Sequence, residues 1–222
     1  MPENDRWAAG PRAFMRRCAV RRCSIMETVG THRPTPATWA LSLGLALMGA
    51  GAARIAPSGL VYSSASAAVV QRQPSPGACH ATGAGLYARP DPRCTPGAVN
   101  PAVTQASIGS TICRSGWTAT VRPRVSITEP EKLASMSAYG APGSPARYEY
   151  DHDVALELGG AVNDPRNLWP EPDYPHAAGF YKNPKDHLEN ALHRLVCDGS
   201  IRLARAQMII ASNWVAAYRQ YG

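Results

Sequence analysis

Asp151 and His152 stand side by side, Gly159-Gly160 follows, and Asn167 comes fifteen residues after the histidine. A carboxylate oxygen is a good ligand for a hard divalent cation. An imidazole titrates near neutrality, so His152 can draw a proton from water as a general base. The Asn167 amide can complete a metal shell, or it can hold the loop that orients His152, because asparagine also nucleates turns through its own backbone. One cation beside one base is a kit for hydrolysing a phosphodiester. Lys185 could reach a phosphate, Trp169 could stack on a base, and Arg114, Arg122, Arg124, Arg147 and Arg166 could line a nucleic-acid backbone groove.

Several local signals predict the elements that must position these groups. Arg147–His152 reads as a strand with Tyr148 and Tyr150 on one face, and regular pleating would send Asp151 and His152 to opposite faces. Val154–Leu158 reads as a second strand, broken by Gly159-Gly160. Trp117–Arg122 alternates in strand fashion and stops at Pro123. Thr128-x-x-Glu131 has capping-box spacing and predicts a helix to about Tyr139, closed by Gly140. Asn183-Pro184 places a capping residue before a proline at the first helical position. Leu188, Ala191, Leu192, Leu195 and Val196 then repeat at helical spacing, with Gly199 as the stop. Leu203, Ala206, Ile210, Trp214 and Ala217 trace a last amphipathic helix.

The run DHDVALELGGAVNDPRNL resembles the HNH (ββα-metal) endonucleases in its Asp-His pair, its glycines and its Asn-Leu step. His176, nine residues beyond Asn167, is close to the spacing of that family's third histidine. More broadly, the stretch from about Cys94 to Trp214 (GWTATVRP, YEYDH, ELGG, NLWPEP, KDHLE, VCDG) resembles small exported bacterial proteins with HNH-like signatures. The resemblance implies an α+β fold: a small ββα-metal core with flanking C-terminal helices and a loop-rich, disulfide-tied N-terminal arm. It implies His152 as general base assisted by Asn167, and Asp151, Asn167 and His176 holding one divalent ion. Mg²⁺ is the expected metal, with Mn²⁺ or another transition metal as alternatives. It further implies nucleic acid as the substrate, DNA rather than RNA; a monomer is expected, and with no separate DNA-reading module in the sequence its specificity is expected to be low. The chain departs from the pattern at Ala155, where the family usually has proline, and in lacking Cys-x-x-Cys pairs. His176 also sits among Pro172, Pro175 and Gly179, so Asp186, His187 or Glu189 could supply the third ligand instead. The alternative function is an inactive scaffold that serves as a binding or envelope-associated module.

Composition fits this reading. Of 222 residues, 39 are Gly or Pro and only 18% are charged, which favours a loop-rich domain over a helical bundle. The net charge of +7 is concentrated at the front, where residues 1–67 carry eight arginines and three acids. That leaves +2 for residues 68–222, so a nucleic-acid groove must come from placement of charge. An Arg-rich stretch precedes the uncharged run Trp39–Ala53, which is short against the roughly 20 apolar residues of a membrane span. Residues 1–67 therefore read as a leader carrying a secretory signal, with a membrane-anchored form as the alternative. Small-residue cleavage sites stand at Ala50-Gly51-Ala52 and Ala65-Ser66-Ala67. Residues 68–110 read as an irregular arm and 111–222 as the nuclease-like domain. An exported chain favours disulfides, and of three pairings of its last four cysteines Cys79–Cys94 with Cys113–Cys197 is preferred.

Overall fold

The computed structural model describes residues 53–173 and 183–222, all within one compact unit. His176 lies outside the described residues. Four helices and two small sheets make the chain α+β among these residues, with long irregular connections. Strands β1 (Val61–Tyr62) and β2 (Ala98–Val99) pair in parallel. Helices α1 (Trp117–Val121) and α2 (Val125–Tyr139) follow. Strands β3 (Tyr148–His152) and β4 (Leu168–Pro172) then form an antiparallel pair, with His152 opposite Leu168 and Asp151 opposite Trp169. Helices α3 (Pro184–Cys197) and α4 (Leu203–Tyr221) close the chain and pack on each other.

The two C-terminal helices behave as their spacing predicts. Asn183 caps α3 by accepting from the Lys185 amide, with Pro184 at the first helical position. Leu188, Leu192 and Val196 meet Leu203, Ala206, Ile210, Trp214 and Ala217 of α4 in the core, joined by Val99, Val103, Val154 and Leu158. Each large apolar side chain buried there contributes about 1.5–3 kcal/mol. Helix α4 is broken at Asn213, whose backbone is extended and whose side chain accepts from the Ala216 amide, so Asn213 caps a second helical segment.

Three predicted elements differ. The expected strand Trp117–Arg122 is instead helical over Trp117–Val121: Gly116 enters it with a left-handed backbone, and Thr120 donates to the Trp117 carbonyl. Helix α2 begins at Val125, before the Thr128 cap, because the first turn closes on the Arg124 carbonyl and tolerates Pro130 further along. Glu131 does not cap; it is buried and accepts from the Gln71 amide and Asn163 Nδ2. Val154–Leu158 is not a strand, because the Asn167 side chain takes both the N–H and the carbonyl of Val154, the groups a neighbouring strand would use. The chain coils instead into a single turn at Leu156–Leu158, and the second strand forms later, at β4.

The arm is tied in, not merely a linker. Asn163 Nδ2 donates to the Ser66 and Val69 carbonyls, and Gln73 Nε2 donates to the Tyr150 hydroxyl. Residues 55–62, on the leader side of the expected boundary at 67, carry β1 and bury Ala56 in the core. Asp-Pro-Arg occurs twice, at Asp91–Arg93 and Asp164–Arg166. In both, the aspartate accepts from the arginine's amide and guanidinium, so Arg166 is engaged internally.

Both expected disulfides are present, Cys79–Cys94 and Cys113–Cys197, spanning 15 and 84 residues. Chain entropy makes the longer loop the more stabilising closure. Replacing Cys113 and Cys197 with Ser should lower unfolding free energy by about 4–5 kcal/mol, against about 3 kcal/mol for the Cys79/Cys94 pair. Chemical denaturation of the two double variants would read the difference, and equal losses would contradict the loop-length account.

Candidate active site

The Asp-His pair ends β3, where the strand meets the loop that Asn167 folds. Asn167 is fully buried and its amide is consumed by backbone: Oδ1 accepts from Val154 and Ala98, and Nδ2 donates to the Val154 and Ala161 carbonyls. Of its two expected roles, these bonds serve the loop-holding one. Gly160 completes the arrangement, since a Cβ there would fall 1.7 Å from the Val154 carbonyl oxygen and 2.9 Å from Asn167 Nδ2.

The loop held in this way supplies the partner of His152. The imidazole is 7% exposed, and its Nε2 lies 3.1 Å from the Val162 carbonyl oxygen. A carbonyl only accepts, so the proton resides on Nε2 and Nδ1 carries the lone pair. Burial pushes the histidine down to about 4, against the opposing pull of Asp151, so the ring is neutral at ordinary pH. Arg122 acts electrostatically on both His152 and Glu157, a minor influence beside that of burial.

Asp151 belongs to a cluster centred on Lys185, which is 1% exposed. The Lys185 ammonium bonds to Asp151 Oδ2, to Glu189 Oε1 at 2.5 Å and to the His152 carbonyl at 2.7 Å. Glu171 Oε2 lies 3.8 Å away, and Glu171 Oε1 accepts from Asn183 Nδ2 at 2.6 Å. The local sequence explains the convergence. Asp151 and Glu171 come from paired strands, whereas Asn183, Lys185 and Glu189 come from the start of one helix, with Lys185 and Glu189 four residues apart on the same face.

Charge within the cluster is unevenly held. Burial opposes ionisation of Asp151, but Lys185 overcomes it and keeps the carboxyl below its ordinary range. Burial pushes Glu171 well up and Asp151 beside it pushes the same way, with Lys185 opposing. Burial likewise raises Glu189, with Lys185 opposing. Two residues along the chain, burial lifts Asp153 to about 8.

Among the residues expected to bind metal, Asp151 faces Glu189 through this shared cation, whereas His187 is exposed and Asp186 stands aside, lifted to about 6 by burial and by Asp151. Trp169 is 1% exposed and packs against Tyr139, so it is not free to stack on a base. Glu171 was not singled out from sequence; only its place opposite Glu149 in the strand register brings it to Lys185. The cluster offers carboxylate and carbonyl oxygens, the donors that suit a hard divalent cation. Among the described residues, the side chains whose ligand atoms lie within 4.8 Å of one another as a metal site would need are Cys113, His193 and Cys197, away from this cluster.

Lys185 is the only cation bonded to this cluster among the described residues. Removing one partner of a buried ion cluster costs about 3–5 kcal/mol. Lys185→Met should therefore lose about that much stability, and Lys185→Arg less. Without the ammonium all three carboxyls are raised above their unfolded values, so their contribution is present at low pH and lost as pH rises through the folded values. The loss should thus be larger near pH 8 than near pH 5 in denaturant titrations, and a pH-independent loss would contradict the charge argument.

Comparison of the chain with protein-family models, with curated proteins and with solved structures gives no match, so its chemistry is read from the site itself.

Proposed function

We propose that the domain is an HNH-like endonuclease that hydrolyses phosphodiester bonds of nucleic acid, DNA in preference to RNA, with low sequence specificity. The observation that carries this reading is His152. It is a buried neutral imidazole at a strand end, with its Nε2 proton engaged by a backbone carbonyl and its Nδ1 lone pair left to accept a proton. The order β3, β4, α3, with the Asp-His pair closing the first strand, is consistent with a ββα arrangement. Asp151 and Glu189 would hold one divalent ion, Mg²⁺ by its preference for oxygen donors, only in place of the Lys185 ammonium that now bridges them. Such an ion, when bound, supplies charge stabilisation at the scissile phosphate. His152 takes the proton of the attacking water, and Asn167 holds the loop that orients His152.

Export as a monomer is part of the same proposal. Two disulfides suit an oxidising compartment. No helix among the described residues is long and apolar enough to cross a membrane.

One observation favours a second reading, a binding scaffold without hydrolysis: the Lys185 ammonium already satisfies the carboxylates that a metal would need. A plasmid-nicking assay on the full chain with Mg²⁺, Mn²⁺ or EDTA separates the two. The nuclease reading expects nicking that EDTA abolishes and that His152→Ala lowers by about 10²–10⁴-fold. Folded protein that nicks in no metal, or a His152→Ala variant as active as the parent, would remove the nuclease reading.

A further inference from the structure

An imidazole is built against the Cys113–Cys197 disulfide. One ligand atom each from Cys113, His193 and Cys197 lie within 4.8 Å of one another. His193 and Cys197 are four residues apart on α3 and so share a face of that helix. Cys113 follows Ile112, whose carbonyl oxygen is 2.9 Å from His193 Nε2. That carbonyl must be the acceptor, which puts the proton on Nε2 and the lone pair on Nδ1. Metal-ligating histidines make this kind of bond to a backbone carbonyl, fixing the tautomer and the ring orientation. Cys113 and His193 line a cavity of about 230 Å³ together with Glu157, whose Oε1 is buried without a hydrogen-bond partner.

We propose that opening the Cys113–Cys197 disulfide converts this corner into a transition-metal site of the zinc class, with Cys113, His193 and Cys197 as ligands and the fourth position facing the cavity that Glu157 lines. The reductant is a dithiol. It delivers two electrons and two protons to the paired sulfurs and becomes a disulfide itself, leaving two thiols on the protein. Metal binding then releases those two protons and forms two metal–sulfur bonds. Two thiolates with an imidazole select zinc-like ions over Mg²⁺. The site is thus chemically distinct from the all-oxygen cluster at Lys185, and the two cysteines hold either a disulfide or a metal.

The test uses Co²⁺ as a spectroscopic probe on the full chain, oxidised and then reduced under anaerobic conditions. Reduced protein should take up one Co²⁺ with thiolate-to-cobalt absorption and the visible bands of a tetrahedral ion, and oxidised protein should show neither. His193→Ala should lose the tetrahedral bands while leaving the oxidised protein's melting temperature nearly unchanged. Zn²⁺ should raise the melting temperature of the reduced parent but not of reduced His193→Ala. Bands that persist in Cys113→Ser/Cys197→Ser would assign the metal to other cysteines and overturn the proposal. So would reduced protein that shows no thiolate band, or that unfolds on reduction and does not refold with Zn²⁺.

Discussion

A lysine ammonium sealed from solvent is the constraint around which the centre of this molecule is arranged. Desolvating a charge costs several kcal/mol, so Lys185 has to find acceptors for its three N–H bonds. It finds them in Asp151, Glu189 and the His152 carbonyl, which come from a strand end and one helical turn. That requirement sets where the start of α3 can lie relative to the end of β3. It also keeps Asp151 ionised in a place where burial alone would neutralise it, while burial pushes Glu171 next to it well up. The acid beside the candidate base therefore owes its charge to a residue on a different element.

The second organising device is an amide that bonds only to backbone. Asn167 gathers Ala98, Val154 and Ala161, joining the β2 region, the turn after β3 and the approach to β4. Because the loop is closed this way, the Val162 carbonyl arrives at His152 from a fixed direction. Gly160 is the position where the closure leaves no room for a side chain, with backbone and the Asn167 amide both inside the volume of a Cβ. The conformation of the base is thus set by a loop closed through backbone and one amide side chain.

Features encoded by neighbours in sequence were legible before any coordinates. The Asn183-Pro184 helix start, the Gly140 stop and the apolar faces of α3 and α4 depend on contacts within a few residues, and each is found where its spacing puts it. The strand ending in Asp151-His152 and both cysteine pairs were also readable. Features decided at long range were not. Val154–Leu158 has strand-like composition, but Asn167, thirteen residues beyond Val154, takes the hydrogen bonds a strand would need. The importance of Glu171 and Lys185 depends on a strand register and a helix approach that no local pattern records. Trp169 looked available as a stacking surface because an isolated Trp-Pro step carries no sign of burial.

The short parallel pair β1–β2 bears on how the chain could be processed. Ser63 Oγ donates to Asp164, and Tyr62 pairs with Val99, one residue from the alanine that Asn167 holds. Cutting after Ala67 would sever β1, Ala56 and Ser63 from the body they pack against, leaving β2 with an open edge and Asp164 with one donor fewer. Cutting after Ala52 would leave all of these contacts within the same chain. A protease offered both small-residue sites on the folded body would therefore disturb it very differently, and packing, more than the residues at the cut, separates the two sites.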